Sequence, residues 1–368
     1  MDIKKALSSK LDRRRLLGNL GLMGAGAVMT ACGGQVVGQV GAQQSGDDYD
    51  AAILNFALNL EYLEAAFYLA AVGRLNDLPE FEEGKVLLPD GYTGTDPSTS
   101  LYASKFNGGL SGQTVTKVSG LVGDFADNIA RDELAHVVFL RSALEAAGAP
   151  VAELPVINLN SSFVAAATAA ASLTDNGLGF DPNAFNPFAN DTFFLFGTYI
   201  FEDVGVTAYK GAARFLTNPD FLEAAAGILS VEAYHAGFVR TFLYASDMRE
   251  DNRYGGVDIW TIARAISDAR DSLDGDTDLD QGIVGNAGLD SVQAAVHEGS
   301  DGLATNIAPT DSNAITFSRT PLQVAKIVQL NPDAANLDVS FFPEGLSVPA
   351  ELADQFTALL DPNFPNNL

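Results

Sequence analysis

Cysteine is almost absent from this chain: Cys32 is the only one among 368 residues. Everything beyond it therefore lacks an internal disulfide framework and any thiolate metal site. Basic residues are scarce as well, 21 against 47 acidic ones, for a formal net charge of −26. So acidic a chain repels polyanions, which excludes a nucleic-acid surface and argues against adhesion to anionic lipid. No nucleotide-binding loop, haem-attachment motif or Ser–His–Asp arrangement can be assigned. There are only three histidines, so the places where they stand carry weight.

Two of them, His136 and His235, follow a glutamate by three residues, in Arg131-Asp132-Glu133-Leu134-Ala135-His136 and Val231-Glu232-Ala233-Tyr234-His235. With acids this frequent, two of three histidines would have one at that offset by chance about one time in twenty. Upstream of each unit a glutamate precedes a tyrosine by seven residues, Glu61 with Tyr68 and Glu202 with Tyr209. Beyond each histidine comes an arginine, Arg141 and Arg240. The chain thus reads twice as Glu-x6-Tyr, then Glu-x2-His-x4-Arg. Helical residues three apart stand about 300° round and roughly 4.5 Å along, on one face. Glu133 with His136, and Glu232 with His235, can each bind a cation from one helix, while Glu61 and Glu202 face them from partner helices. Four carboxylates and two imidazoles on a duplicated helix pair are the ligand set of a two-metal site inside a four-helix bundle.

The apolar spacing agrees. Leu54, Leu58, Glu61, Ala65 and Tyr68 form a core-facing stripe, as do Leu121, Phe125, Ile129, Glu133, His136 and Leu140. Leu195, Tyr199, Glu202, Val206 and Tyr209 repeat the first pattern, and Ile228, Glu232, His235 and Phe242 the second. Ionised carboxylates on such stripes are costly unless paired or coordinated, and a polycation compensates four that converge. Glu64, one turn beyond Glu61, is the alternative ligand on the first helix. Its counterpart in the repeat is Gly205, so the tyrosine offset favours Glu61. Asp132 and Asp203 adjoin ligands and read as solvent-facing or as supports of them. Tyr68 and Tyr209 read either as core packing or as hydrogen-bond donors to a ligand carboxylate. The third histidine, His297, reads as an ordinary loop or surface residue.

With these residues in place the sequence resembles the ferritin-like superfamily, and more narrowly the exported ferritin-like proteins related to desiccation-related proteins. The stretch Ile53-Leu54-Asn55-Phe56-Ala57-Leu58-Asn59-Leu60-Glu61-Tyr62-Leu63-Glu64 is the most family-like, and the likeness covers about residues 50–250. The resemblance implies two Fe ions, or an Fe/Mn pair, at Glu61, Glu133, His136, Glu202, Glu232 and His235. All six positions are filled.

The front end is a targeting segment, residues 1–31. Lys4, Lys5 and Lys10 lead into Arg13-Arg14-Arg15-Leu16-Leu17, a twin-arginine-type signal. The apolar run that follows is too short for a membrane span. It ends in Met29-Thr30-Ala31-Cys32, which resembles a lipoprotein cleavage box, so Cys32 is a candidate lipidation site; the alternative is an incidental cysteine. Residues 32–47 read as a flexible tether. Removal of residues 1–31 leaves 15 basic and 45 acidic residues, a net charge of −30.

The expected architecture is all-α. A ferritin-like four-helix bundle occupies 48–249, with helices over about 48–72, 117–147, 191–216 and 219–248. A long insertion (about 75–115) separates helices one and two, and the crossover carries a helical stretch near 162–173. Residues 250–368 read as an irregular, partly helical extension packed on the bundle, with helices near 260–272 and 320–330. The run Asp274-Gly275-Asp276-Thr277-Asp278-Leu279-Asp280 lacks the mid-loop glycine and closing glutamate of an EF-hand and reads as a solvated acidic turn.

Two carboxylate-bound metals exchange electrons with dioxygen or peroxide, so the leading expectation is oxidoreductase chemistry, ferrous oxidation or peroxide reduction, in envelope stress protection. The rival is a non-catalytic desiccation or stress protein in which the metal only stabilises the bundle. Partners are then metal ions and dioxygen or peroxide, with no nucleic acid and with membrane attachment only through a lipid anchor. Assembly into an oligomer is compatible with the sequence. The expected location is the cell envelope or periplasm.

Overall fold

Helix α1 (Asp50–Val72) is apolar on nearly every face, the pattern of a helix enclosed on all sides. In the computed structural model 22 of its 23 residues are buried. The structure describes residues 49–98, 100–102, 117–175, 177–247, 253–275, 277–284, 305–331 and 339–364. The leader, Cys32, the tether 32–47, His297 and part of the insertion lie outside the described residues.

Helix α1 packs chiefly on α2 (Lys117–Ala146), and α4 (Asp191–Ala213) on α5 (Pro219–Asp247). Within the first pair Arg74, just past the end of α1, meets Asp127 early in α2, and Asn55 near the start of α1 bonds the Pro150 carbonyl beyond the end of α2. The pair is therefore antiparallel. The crossover between the pairs carries α3 (Ser161–Ser172), and its strand β2 (Ile157–Asn158) runs parallel to β1 (Val86–Leu87) of the insertion. A short antiparallel pair, β3 (Arg253–Tyr254) and β4 (Val257–Asp258), leads into α6 (Ile259–Asp274), followed by α7 (Pro321–Val328) and α8 (Ala353–Leu359). Among the described residues no helix is long and apolar enough to cross a membrane.

Local chemistry places several boundaries. Asn190 caps α4 by accepting from the Phe193 amide, and Thr320 with Gln323 forms a capping box at α7. Asp50 accepts from the Thr217 and Asn218 amides, tying the α4–α5 turn to the start of α1. Aromatic packing holds α3 against the bundle: the Phe67 ring meets Phe163, Phe188, Phe194 and Phe201.

Four sequence expectations need correction. Leu121 is exposed at 44%, and the neighbouring Val122 takes the core position instead. Helix α4 stops at Ala213, three residues short of the expected end, because α7 and its preceding loop crowd that end. There the Arg319 amide donates to the Thr207 carbonyl, and any Cβ at Gly211 would collide with the Arg319 carbonyl. Asp203 is buried rather than solvent-facing. The 274–280 turn is solvated only in its middle, where Thr277 and Asp278 are exposed, while Asp274 and Asp280 at its ends are buried and both bind Arg319.

These residues belong to one buried ionic network. Arg240 of α5 and Arg270 of α6 share Asp203 of α4, at 2.7 and 3.0 Å. Arg270 also reaches Asp280 at 2.6 Å, and Arg319 reaches Asp274 at 2.6 Å and the Thr207 hydroxyl at 2.8 Å. Three guanidinium groups and three carboxylates balance in charge, and they bolt the C-terminal segment to α4 and α5. Removing one partner leaves buried charge uncompensated. Arg319→Ala should therefore lower unfolding free energy by about 3–5 kcal/mol, read by chemical denaturation; a loss below about 1 kcal/mol would contradict this role.

Candidate metal centre

The two antiparallel pairs bring Glu61, Glu133, His136, Glu202, Glu232 and His235 together in the bundle interior, all six buried. Ligand atoms of Glu61, Glu133, His136 and Glu232 lie within 4.8 Å of one another, as do those of Glu133, Glu202 and His235. Glu133 stands between the groups. One of its oxygens is 3.1 Å from His136 Nδ1 and the other 3.0 Å from His235 Nδ1. His136 Nδ1 also lies 3.1 Å from Glu61 Oε2 and 3.8 Å from Glu232 Oε1, and His235 Nδ1 lies 3.4 Å from Glu202 Oε2.

The tyrosines of the repeat cross between the pairs. Tyr68 of α1 donates to Glu202 Oε1 of α4, and Tyr209 of α4 donates to Glu61 Oε1 of α1. Each hydroxyl takes one carboxylate oxygen and leaves the other facing a histidine. Each arginine of the repeat bonds within its own pair as well as outside it. Arg141 donates to the hydroxyl of Tyr62, next to Glu61, and Arg240 to Asp203, next to Glu202. Each arginine thus grips the residue that follows a cluster glutamate, fixing the register of its helix pair.

Glu61 and Glu64, alternatives in the sequence, both reach the cluster. Glu64 forms a third group with Glu202 and Glu232, again with ligand atoms within 4.8 Å. Asp132, half-exposed, sets Oδ2 3.3 Å from His235 Nε2 and so backs the ring from outside. Gly205 makes room for the cluster, because any Cβ there would collide with Glu232 Oε2.

Electrostatics sets which groups of the cluster hold protons. Burial would lower the proton affinity of His136, but the facing Glu61 and Glu133 carboxylates outweigh it and hold its pKa up at about 12. Burial likewise opposes charge on His235, yet Glu202, Asp132 and Glu133 drive its pKa far upward. Burial raises Glu61 to about 7 against the pull of His136. It also pushes Glu64 and Glu232 well above the ordinary carboxylate range, with the neighbouring acids adding to the rise. Glu133 goes the other way, since the two histidines that face it overcome the cost of burial.

Glu64 Oε2, Glu133 Oε1, Glu202 Oε2, both oxygens of Glu232 and His235 Nδ1 are buried without a hydrogen-bond partner. His235 Nδ1 and Glu133 Oε1 are close, but they are not aligned as donor and acceptor. Buried polar atoms require a partner, and lone pairs that converge without satisfying each other fit a cation between them. The donor set of carboxylate oxygens and imidazole nitrogens suits divalent iron or manganese. The residues present therefore fit bound metal, with Glu133 and Glu232 each belonging to more than one candidate group.

The chain matches the ferritin-like domain family over residues 49–245 and belongs to it. It is 28% identical over 277 residues to the desiccation-related protein PCC13-62 of Craterostigma plantagineum, covering 74% of this chain and 75% of that one. It is 24% identical over 301 residues to the ferritin-like catalase Nec2 of Nesocodon mauritianus, covering 81% and 84%. No solved structure matches it.

Without a cation, the raised groups keep protons at pH 7, so a cation must displace them on binding. Divalent-ion affinity should therefore fall as pH drops from 8 to 6, about tenfold per pH unit for each proton displaced. Calorimetry in buffers of different ionisation enthalpy would count those protons. Uptake without proton release would contradict the charge balance described above.

Proposed function

We propose that this chain is an exported two-metal carboxylate protein that disproportionates hydrogen peroxide to water and dioxygen. The observation that carries the reading is the buried cluster of converging, unpartnered carboxylate and imidazole atoms, arranged as two overlapping groups around Glu133. Disproportionation consumes two peroxides and needs no separate reductant. That suits a chain whose only cysteine is Cys32 and in which no nucleotide loop or haem motif can be assigned. The name of one relative, a ferritin-like catalase, supports the same reaction class.

When bound, the ions supply the redox exchange with peroxide. The chain's residues hold and shape the place where this occurs. Glu133 and Glu232 would hold the ions together with His136 and His235, whose Nδ1 atoms face the two oxygens of Glu133. Tyr68 and Tyr209 orient Glu202 and Glu61 through one oxygen each. The C-terminal segment reaches the same region, where Val328 and Phe341 line a mostly apolar cavity together with Glu64.

A second reading rests on the other relative, whose name is desiccation-related. In it the ions stabilise the bundle by binding only the folded state, and peroxide is not turned over. Elemental analysis of the purified chain together with oxygen evolution from peroxide separates the two. We expect about two Fe or Mn ions per chain and sustained oxygen release, with Glu133→Ala losing both. Two ions without turnover would favour the stabilising role. No ion after anaerobic reconstitution would end both readings.

Export belongs to the proposal as well. The Arg13-Arg14-Arg15 leader suits a protein that folds around its metal before crossing a membrane, and Cys32 is placed for lipid attachment. Cys32→Ser should move the protein from the membrane fraction to the soluble envelope fraction; unchanged retention would count against lipidation.

A further inference from the structure

The duplicated sequence lets each cluster residue be compared with its counterpart in the other half. Glu61 matches Glu202, Tyr68 matches Tyr209, Glu133 matches Glu232, and His136 matches His235. Two departures break the symmetry. The residue three after Glu61 is Glu64, whereas three after Glu202 comes Gly205. The residue before Glu133 is Asp132, whereas Val231 precedes Glu232.

Both departures fall on the same side of the cluster. The Glu64 carboxylate joins Glu202 and Glu232, not Glu61 and His136. Asp132 backs His235 through Nε2. Glu64 is 6% exposed, and its Oε2 has no hydrogen-bond partner. The cavity it lines is otherwise walled by apolar residues, among them Leu63, Val204, Val328 and Phe341, so nothing on that side compensates its charge. An ionised carboxylate in such a place is favoured by a cation on its cluster side. A carboxylate behind a metal-bound imidazole also raises its basicity and its hold on the ion.

We infer that the two cation positions are unequal: the one at Glu202 and His235 takes Glu64 as a further carboxylate ligand and binds a divalent cation first and tightest, while the one at Glu61 and His136 is the exchangeable position. This assignment rests on the two-metal reading above, though not on peroxide being the substrate. It also accounts for Gly205, since a second glutamate there would displace Glu232.

The test is titration of the metal-free full-length chain with Mn2+, following free ion by its electron paramagnetic resonance signal. Two like-charged ions sharing Glu133 and Glu232 repel each other, so two affinity classes alone would not identify the positions. The variants do. Glu64→Gln, which keeps the side-chain shape, should weaken the tighter class by at least about tenfold and leave the weaker one in place. Asp132→Asn, at a half-exposed position that the fold tolerates, should shift the same class in the same direction. His136→Ala should remove the weaker class and spare the tighter one, and His235→Ala the reverse. Circular dichroism of each variant establishes that it is folded.

Equal affinities in the wild type would overturn the inequality while leaving the two-metal reading intact. So would a tight class that neither Glu64→Gln nor Asp132→Asn moves, or one abolished by His136→Ala. A wild-type chain that binds no Mn2+ would overturn the assignment and the two-metal reading together.

Discussion

Five glutamates, Glu61, Glu64, Glu133, Glu202 and Glu232, share one buried space with two imidazoles. Carboxylates at this spacing and burial cannot all be ionised without positive charge among them. Protons supply that charge when no cation is bound, and divalent ions replace them when one is. Much of the surrounding structure follows from holding these groups together: the crossed tyrosines, the arginines that lock each helix pair, and the glycine opposite Glu232.

The second buried charge system has a different character. Arg240, Arg270 and Arg319 pair with Asp203, Asp274 and Asp280 within the protein itself. It adjoins the first through the peptide between Glu202 and Asp203. The C-terminal segment is therefore more than a cover: it helps fix α4, which carries Glu202, Gly205 and Tyr209. The described residues of bundle and extension accordingly form one compact unit.

The sequence made the cluster legible because the duplication repeats local spacings, and helical spacing translates directly into a shared face. Glu133 with His136, and Glu232 with His235, follow from that repeat, whereas the crossing of Tyr68 to Glu202 does not. What depends on contacts far along the chain was not legible. Arg319 meets Asp274 across 45 residues, and Asn59 of α1 bonds the backbone of Ser347 across 288. Neither pairing leaves a local periodic trace. Helix α8, seven residues long, was missed for the same reason, and with it the enclosure of α1 on all sides. Leu121 shows the limit of the stripe itself: near the start of α2 a one-residue rotation put Val122 inward instead. Glu64 was visible only as a rival to Glu61, because spacing along one helix cannot say that two successive turns reach the same cluster from one side.

The most direct test of the account is a crystal structure of the chain grown with Mn2+, with anomalous scattering measured at the manganese edge. The account predicts two anomalous peaks flanked by Glu133 and Glu232, one beside His136 and the other beside His235. Absence of any peak inside the bundle, with ions only at the acidic surface, would contradict it.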